Sequence, residues 1–145
     1  MSESKLKFPT EIVELPSKGI VYPKENPLSS GKIEMKYMTA REEDILTNQS
    51  YITNGTVLDK LLETLIVSKI DYNDLIVGDK NALLIAARIL GYGNDYEFTY
   101  RNEKVKVDLS ILDNKELDKK QFEQGKNEFN FKLPKSETLI TFKLL

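Results

Sequence analysis

Lys32-Ile33-Glu34-Met35-Lys36-Tyr37-Met38-Thr39-Ala40-Arg41-Glu42-Glu43-Asp44-Ile45-Leu46 changes its hydrophobic period half-way. Lys32 to Met38 alternates, with Ile33, Met35 and Tyr37 on one face and Lys32, Glu34 and Lys36 on the other, which describes a half-buried strand. Thr39 then stands where a helix N-cap belongs. Glu42, three residues on, completes a capping box in which each side chain satisfies the other's free backbone amide. Losing such a cap costs about 1 kcal/mol. A strand that runs straight into a capped helix predicts mixed α and β structure.

Upstream, Glu14-Leu15-Pro16-Ser17-Lys18-Gly19-Ile20-Val21-Tyr22-Pro23 reads as an extended segment broken by a tight turn. Proline presets φ at the second turn position and glycine gives freedom at the last. Ile20-Val21-Tyr22 reads as a short strand closed by Pro23, and residues 24–31 as a loop. Residues 1–12 are polar and are expected to form a flexible arm, with Phe8-Pro9 as a surface anchor.

Downstream, Thr56 caps a second helix with Asp59 at its third position. Its Leu58, Leu61, Leu62, Leu65 and Ile66 follow the i, i+3, i+4, i+7, i+8 spacing of an amphipathic helix. A third helix starts at Asp79 and is apolar nearly all round through Leu90, which predicts burial at the centre of the fold. Gly91 is placed to end it in the left-handed conformation. Tyr96-Glu97-Phe98-Thr99-Tyr100 and Lys104-Val105-Lys106-Val107-Asp108-Leu109 form a hairpin about Arg101-Asn102-Glu103. Residues 113–126 are charged and nearly featureless, a short helix or a loop. Phe129, Phe131 and Leu133 then alternate, Pro134 to Glu137 turns, and Ile140, Phe142 and Leu144 alternate back. The expected fold is α+β: a small helical core of about three helices, flanked by an N-terminal β element and two C-terminal hairpins. It forms one domain over residues 13–145, with the hairpin of 127–145 semi-independent. Ending on Leu144-Leu145 sets the expectation that further chain or a partner covers that strand.

The 145 residues contain neither cysteine nor histidine. That removes disulfides and thiolate metal sites, together with the commonest general base and the commonest metal ligand. Twenty-one basic against 23 acidic residues, well mixed, give a net charge of −2 and no basic stripe for nucleic acid. No apolar run approaches the ~18 residues that span a bilayer. The composition reads as a soluble chain without membrane, cofactor or metal.

Several local patterns invite chemistry and have plainer explanations. Arg41-Glu42-Glu43-Asp44 offers carboxylates for a cation or acid–base pair, but acids in a helix's first turn complement its dipole, each worth roughly 0.3–1 kcal/mol. Gly91-Tyr92-Gly93 follows a helix, whereas a phosphate cradle opens one. Ser17-Lys18 has the residue types of a nucleophile pair, yet adjacent turn residues point apart. Tyr96, Phe98 and Tyr100 would stack bases on an open sheet; without net positive charge on the chain, they read as a buried sheet face. No catalytic residue is expected. What remains is docking to other proteins, through Leu15, Pro16, Lys18, Ile20 and Tyr22 on one side and Phe142, Leu144 and Leu145 on the other.

The order of these phrases resembles the baseplate proteins of T-even-like contractile-tail phages, the family that includes a baseplate hub and a hub-assembly subunit. The resemblance runs through Glu14-Leu15-Pro16-Ser17-Lys18-Gly19 with Tyr22, Met38 to Asp44, Arg88-Ile89-Leu90-Gly91-Tyr92-Gly93, Val107-Asp108-Leu109 and Phe129 to Pro134. It implies a non-enzymatic structural or assembly component of a tail baseplate hub. Such a chain is assembled in the host cytoplasm, and its partners are other baseplate and tail proteins rather than a small-molecule substrate. An assembly chaperone absent from the virion is the alternative within that family, and a small nucleic-acid-binding or regulatory module is the alternative outside it. The resemblance also implies a Cys-x-x-Cys knuckle in the hairpin after the third helix. Here Tyr100-Arg101-Asn102-Glu103 stands in its place, so strand pairing must hold that hairpin without zinc.

Overall fold

Ile33 and Met35 lose all solvent exposure in the computed structural model, which describes residues 8–145. They belong to β2 (Lys32–Lys36), which pairs antiparallel with β1 (Thr10–Glu14), Val13 opposite Ile33 and Glu11 opposite Met35. The other edge of β2 is closed by residues 66–68. Val67 N–H donates to the Glu34 carbonyl at 2.8 Å, and Glu34 N–H donates to Ser68 Oγ at 2.8 Å. A strand with both edges satisfied and its apolar face buried has one register.

The chain is α+β. Among the described residues it has four α-helices, α1 (Ala40–Leu46), α2 (Gln49–Thr53), α3 (Val57–Leu65) and α4 (Val77–Tyr92), and three separate two-stranded antiparallel sheets. The second sheet is β3 (Asp95–Tyr100) with β4 (Glu103–Asp108), and the third is β5 (Phe129–Lys132) with β6 (Leu139–Phe142). The short α2 is an addition to the three expected helices. The Asn48 side chain starts it by accepting from the N–H groups of Ser50 and Tyr51 at 3.0 and 3.2 Å, as an N-cap does. The capping box at Thr39 and Glu42 forms as expected.

The core gathers Leu15, Val21, Leu28, Ile33, Met35, Leu61, Leu62, Leu65, Leu75 and Leu83. Each such side chain, fully buried, contributes roughly 1.5–3 kcal/mol. Leu61, Leu62 and Leu65 supply the inner face of α3, while Leu58 on the same predicted stripe stays half-exposed.

The structure corrects four expectations. Ile20-Val21-Tyr22 is not a strand: Ile20 N–H donates to Ser17 O and Tyr22 N–H to Gly19 O, so the segment winds through consecutive turns. The third predicted helix, α4, begins at Val77, runs through Gly91 to Tyr92 and is capped by Gly93, which takes φ 83°. Nor is α4 buried all round. Only Asp79, Leu83 and Ala87 are enclosed, on one stripe, and Ile85 faces solvent. The helix lies against one side of the core: Leu84, Ala86 and Leu90 pack partly buried at the margin of that stripe, and the far side stays open. Finally, the stretch read as a flexible arm is ordered from Thr10, where β1 begins; residues 1–7 lie outside the described ones.

Candidate functional site

Asp79, in the first turn of α4, has no exposed surface and organises the turn that precedes the core. Ser17 N–H donates to its Oδ1 at 3.1 Å, Ser17 Oγ–H to its Oδ2 at 2.7 Å, and the Tyr22 hydroxyl to Oδ2 at 2.6 Å. The network extends outward as Gly19 N–H donates to Ser17 Oγ at 3.1 Å and Ile76 N–H to Tyr22 Oη at 3.2 Å. Three donors on one carboxylate satisfy it without a cation, which is what permits its burial. Gly19 is required here: its φ is +74°, and a Cβ would stand 2.4 Å from the Ser29 carbonyl oxygen. Burial, followed by the bond to Asp79, raises the Tyr22 hydroxyl above the ordinary tyrosine range.

A second buried carboxylate works the same way. Glu42 accepts from Lys36 Nζ at 2.6 Å, from Thr39 N–H at 2.9 Å and from the Thr39 hydroxyl. Burial pushes its carboxyl up, but the Lys36 ammonium and the two Thr39 donors outweigh that and lower it to about 2. Arg41 to Asp44 is thus a capped helix start, with Glu42 turned inward and Glu43 and Asp44 exposed.

Neither constellation offers free chemistry. The Ser17 hydroxyl is committed to Asp79, while the neighbouring Lys18 points outward to Glu14 at 3.4 Å. Among the described residues no group of three or more acidic, histidine or cysteine side chains is placed to hold a metal ion. No helix among the described residues is long and apolar enough to cross a membrane.

The residues expected to dock partners divide. Leu15 and Tyr22 are buried, Leu15 in the core and Tyr22 on Asp79, so neither is available to another protein. Lys18 is exposed, and Pro16 and Ile20 are half-buried. Phe142, Leu144 and Leu145 all present surface, Leu145 at 78% exposure. Pro16 and Leu144 come together in an apolar cleft of about 240 Å³ whose walls include Val21, Leu117 and Phe122. The final hairpin is fastened at its base. Phe129 packs edge-on to Phe122 at 5.4 Å, and the Leu145 carbonyl accepts from Val77 N–H at 2.5 Å.

The largest departure from the sequence reading lies in the β3–β4 hairpin. Register places Tyr96 opposite Val107 and Phe98 opposite Val105, so these four and Tyr100 share one face. That face is open: Tyr96 is 43% exposed, Phe98 39% and Tyr100 57%. It is not a buried sheet face, because among the described residues no helix or second sheet is laid over it. Cations flank it too. The Arg88 guanidinium stacks on Tyr92 and Tyr96 at 5.1 and 5.7 Å, and Arg101 on Tyr100 at 5.1 Å. Arg101 was legible as the neighbour of Tyr100. Arg88 was not, since only the turn at Gly93 folds α4 back against β3, where Arg88 donates to the carbonyls of Gly93 and Asp95.

No family model, curated protein or solved structure matches this chain.

Proposed function

We propose that this chain is a non-enzymatic docking component of a contractile phage tail baseplate, built into the hub or placed there during assembly. The order of sequence phrases supports the setting. The observation that carries the mode of action is where the apolar surface sits. Tyr96, Phe98 and Tyr100 on one hairpin, and Phe131, Leu139, Ile140 and Phe142 on the other, are large apolar side chains left in solvent on two-stranded sheets. Paired strands of this kind are marginal alone and gain from a covering layer, and clustered exposed apolar groups mark interaction surfaces. The buried polar groups, by contrast, are consumed in holding the fold.

Mass spectrometry of purified virions and of tail-assembly intermediates tests the setting. The chain is expected in the intermediates in either version. Presence in mature particles makes it a built-in part, and presence in intermediates alone makes it an assembly factor. Absence from both overturns the baseplate reading.

A further inference from the structure

We infer that the aromatic face of the β3–β4 hairpin is a docking site for an apolar segment of another protein that carries carboxylates at both ends. The inference deepens the docking role proposed above and gives it a surface and a partner chemistry. Tyr96, Phe98, Tyr100, Val105 and Val107 form a continuous apolar strip, with Tyr96 and Phe98 rings 5.7 Å apart. Tyrosine, phenylalanine and arginine are enriched at protein interfaces, and tyrosine and arginine are enriched among binding hot spots. The strip is bracketed by Arg88 at its base and Arg101 at its tip. Among the described residues neither guanidinium has a carboxylate partner within salt-bridge distance.

Charge selects the occupant. A second copy laid face to face would set arginines against arginines, which like-charge repulsion disfavours. Nucleic acid needs cations for its phosphates. Yet Lys104 and Lys106 pair opposite Thr99 and Glu97 on the reverse face, and Lys106 is held by Asp95 at 2.9 Å. Asp95, Glu97 and Asp108 share that reverse face with the lysines and neutralise them. On the aromatic face Arg88 and Arg101 stand against one acid, Glu103 opposite Tyr100, too few cations to follow a phosphate backbone. Two arginines bracketing an apolar strip instead fit an acidic-ended apolar segment, with Arg–carboxylate pairs fixing its position.

The test uses the full chain and a fluorescent synthetic peptide of alternating leucine and threonine with glutamates at both ends. Its controls are the same peptide ended in lysines and an oligo-dT strand. The acidic peptide is expected to bind at least about tenfold more tightly than the lysine-ended one, as an oriented charge pair allows. R101E is expected to narrow or reverse that preference while circular dichroism stays unchanged, since position 101 lies in an exposed turn whose φ of 49° suits glutamate as well as arginine. Equal binding of the two peptides, tighter binding of oligo-dT, or self-association that R101E abolishes would each overturn the inference. The assay needs no phage component, so its result is separate from that of the virion experiment.

Discussion

Residues 15–87 and residues 95–145 handle burial in opposite ways. The first region encloses every fully buried side chain among the described residues, including the charged pair Asp79 and Glu42. The second, with two of the three sheets, encloses none and leaves its aromatic residues in solvent, except Phe122 and Phe129, which pack on the edge of the core. The contrast separates two jobs. Polar groups are buried where they fix the chain's path, and apolar groups are exposed where nothing within the chain needs them. A region that stabilises itself and a region that awaits a covering layer respond differently to mutation, and that difference can be measured.

The largest effect belongs to Asp79→Ala. It strands the Ser17 amide, the Ser17 hydroxyl and the Tyr22 hydroxyl in the interior, each orphaned donor costing roughly 1–3 kcal/mol. Urea unfolding is expected to show a loss of about 4 kcal/mol. A loss below about 1 kcal/mol would erase the distinction between the regions, because the knot would then contribute no more than an ordinary surface contact.

Next comes Glu42→Gln, which probes the same region through pH. The folded carboxyl at about 2 lies below its ordinary 4.5. Its stabilisation is therefore fully present above pH 4.5 and disappears as pH falls from 4.5 towards 2. At neutral pH the variant is expected to be about 3 kcal/mol less stable than the natural chain, the free energy of such a shift. The gap should close on acidification across that window. A gap independent of pH would assign the effect to packing rather than to the Lys36 and Thr39 contacts.

These two sites also mark how far the sequence could be read. The capping box was legible because Thr39 and Glu42 lie three residues apart, and a helix start is a local event. The same holds for Ile33 and Met35, whose alternation depends only on strand period, and for the β3–β4 hairpin. The Asp79 knot was not legible. Its donors are 62 and 57 residues away in sequence, and no local spacing predicts that a carboxylate on α4 will receive a serine and a tyrosine from the first turn. Ile20-Val21-Tyr22 misled for the same reason. Its residue types favour a strand, but the tertiary demand for Tyr22 on Asp79 and the left-handed Gly19 bend it into turns. On the hairpin, alternation revealed that Tyr96, Phe98 and Tyr100 share a face. Whether that face is covered depends on the rest of the chain, and none of the described residues comes over the top.

The smallest effect is the most telling about the second region. Phe98→Ser removes a large aromatic from a strand, a change that in a packed core costs about 3–5 kcal/mol. Phe98 keeps 39% of its surface in water, with Val105 across the pair and the Tyr96 ring beside it. Cross-strand contacts of that kind contribute roughly 0.2–1 kcal/mol. The hairpin, moreover, can open locally without unfolding the core. Urea unfolding of the core is therefore expected to shift by less than about 0.5 kcal/mol, while hydrogen exchange accelerates at Phe98, Thr99 and Lys104 alone. A cost near that of a core truncation would mean that the aromatic face is already buried within the chain, and it would remove the ground for a partner there. An unchanged core with a loosened hairpin is what a surface held ready for another protein requires.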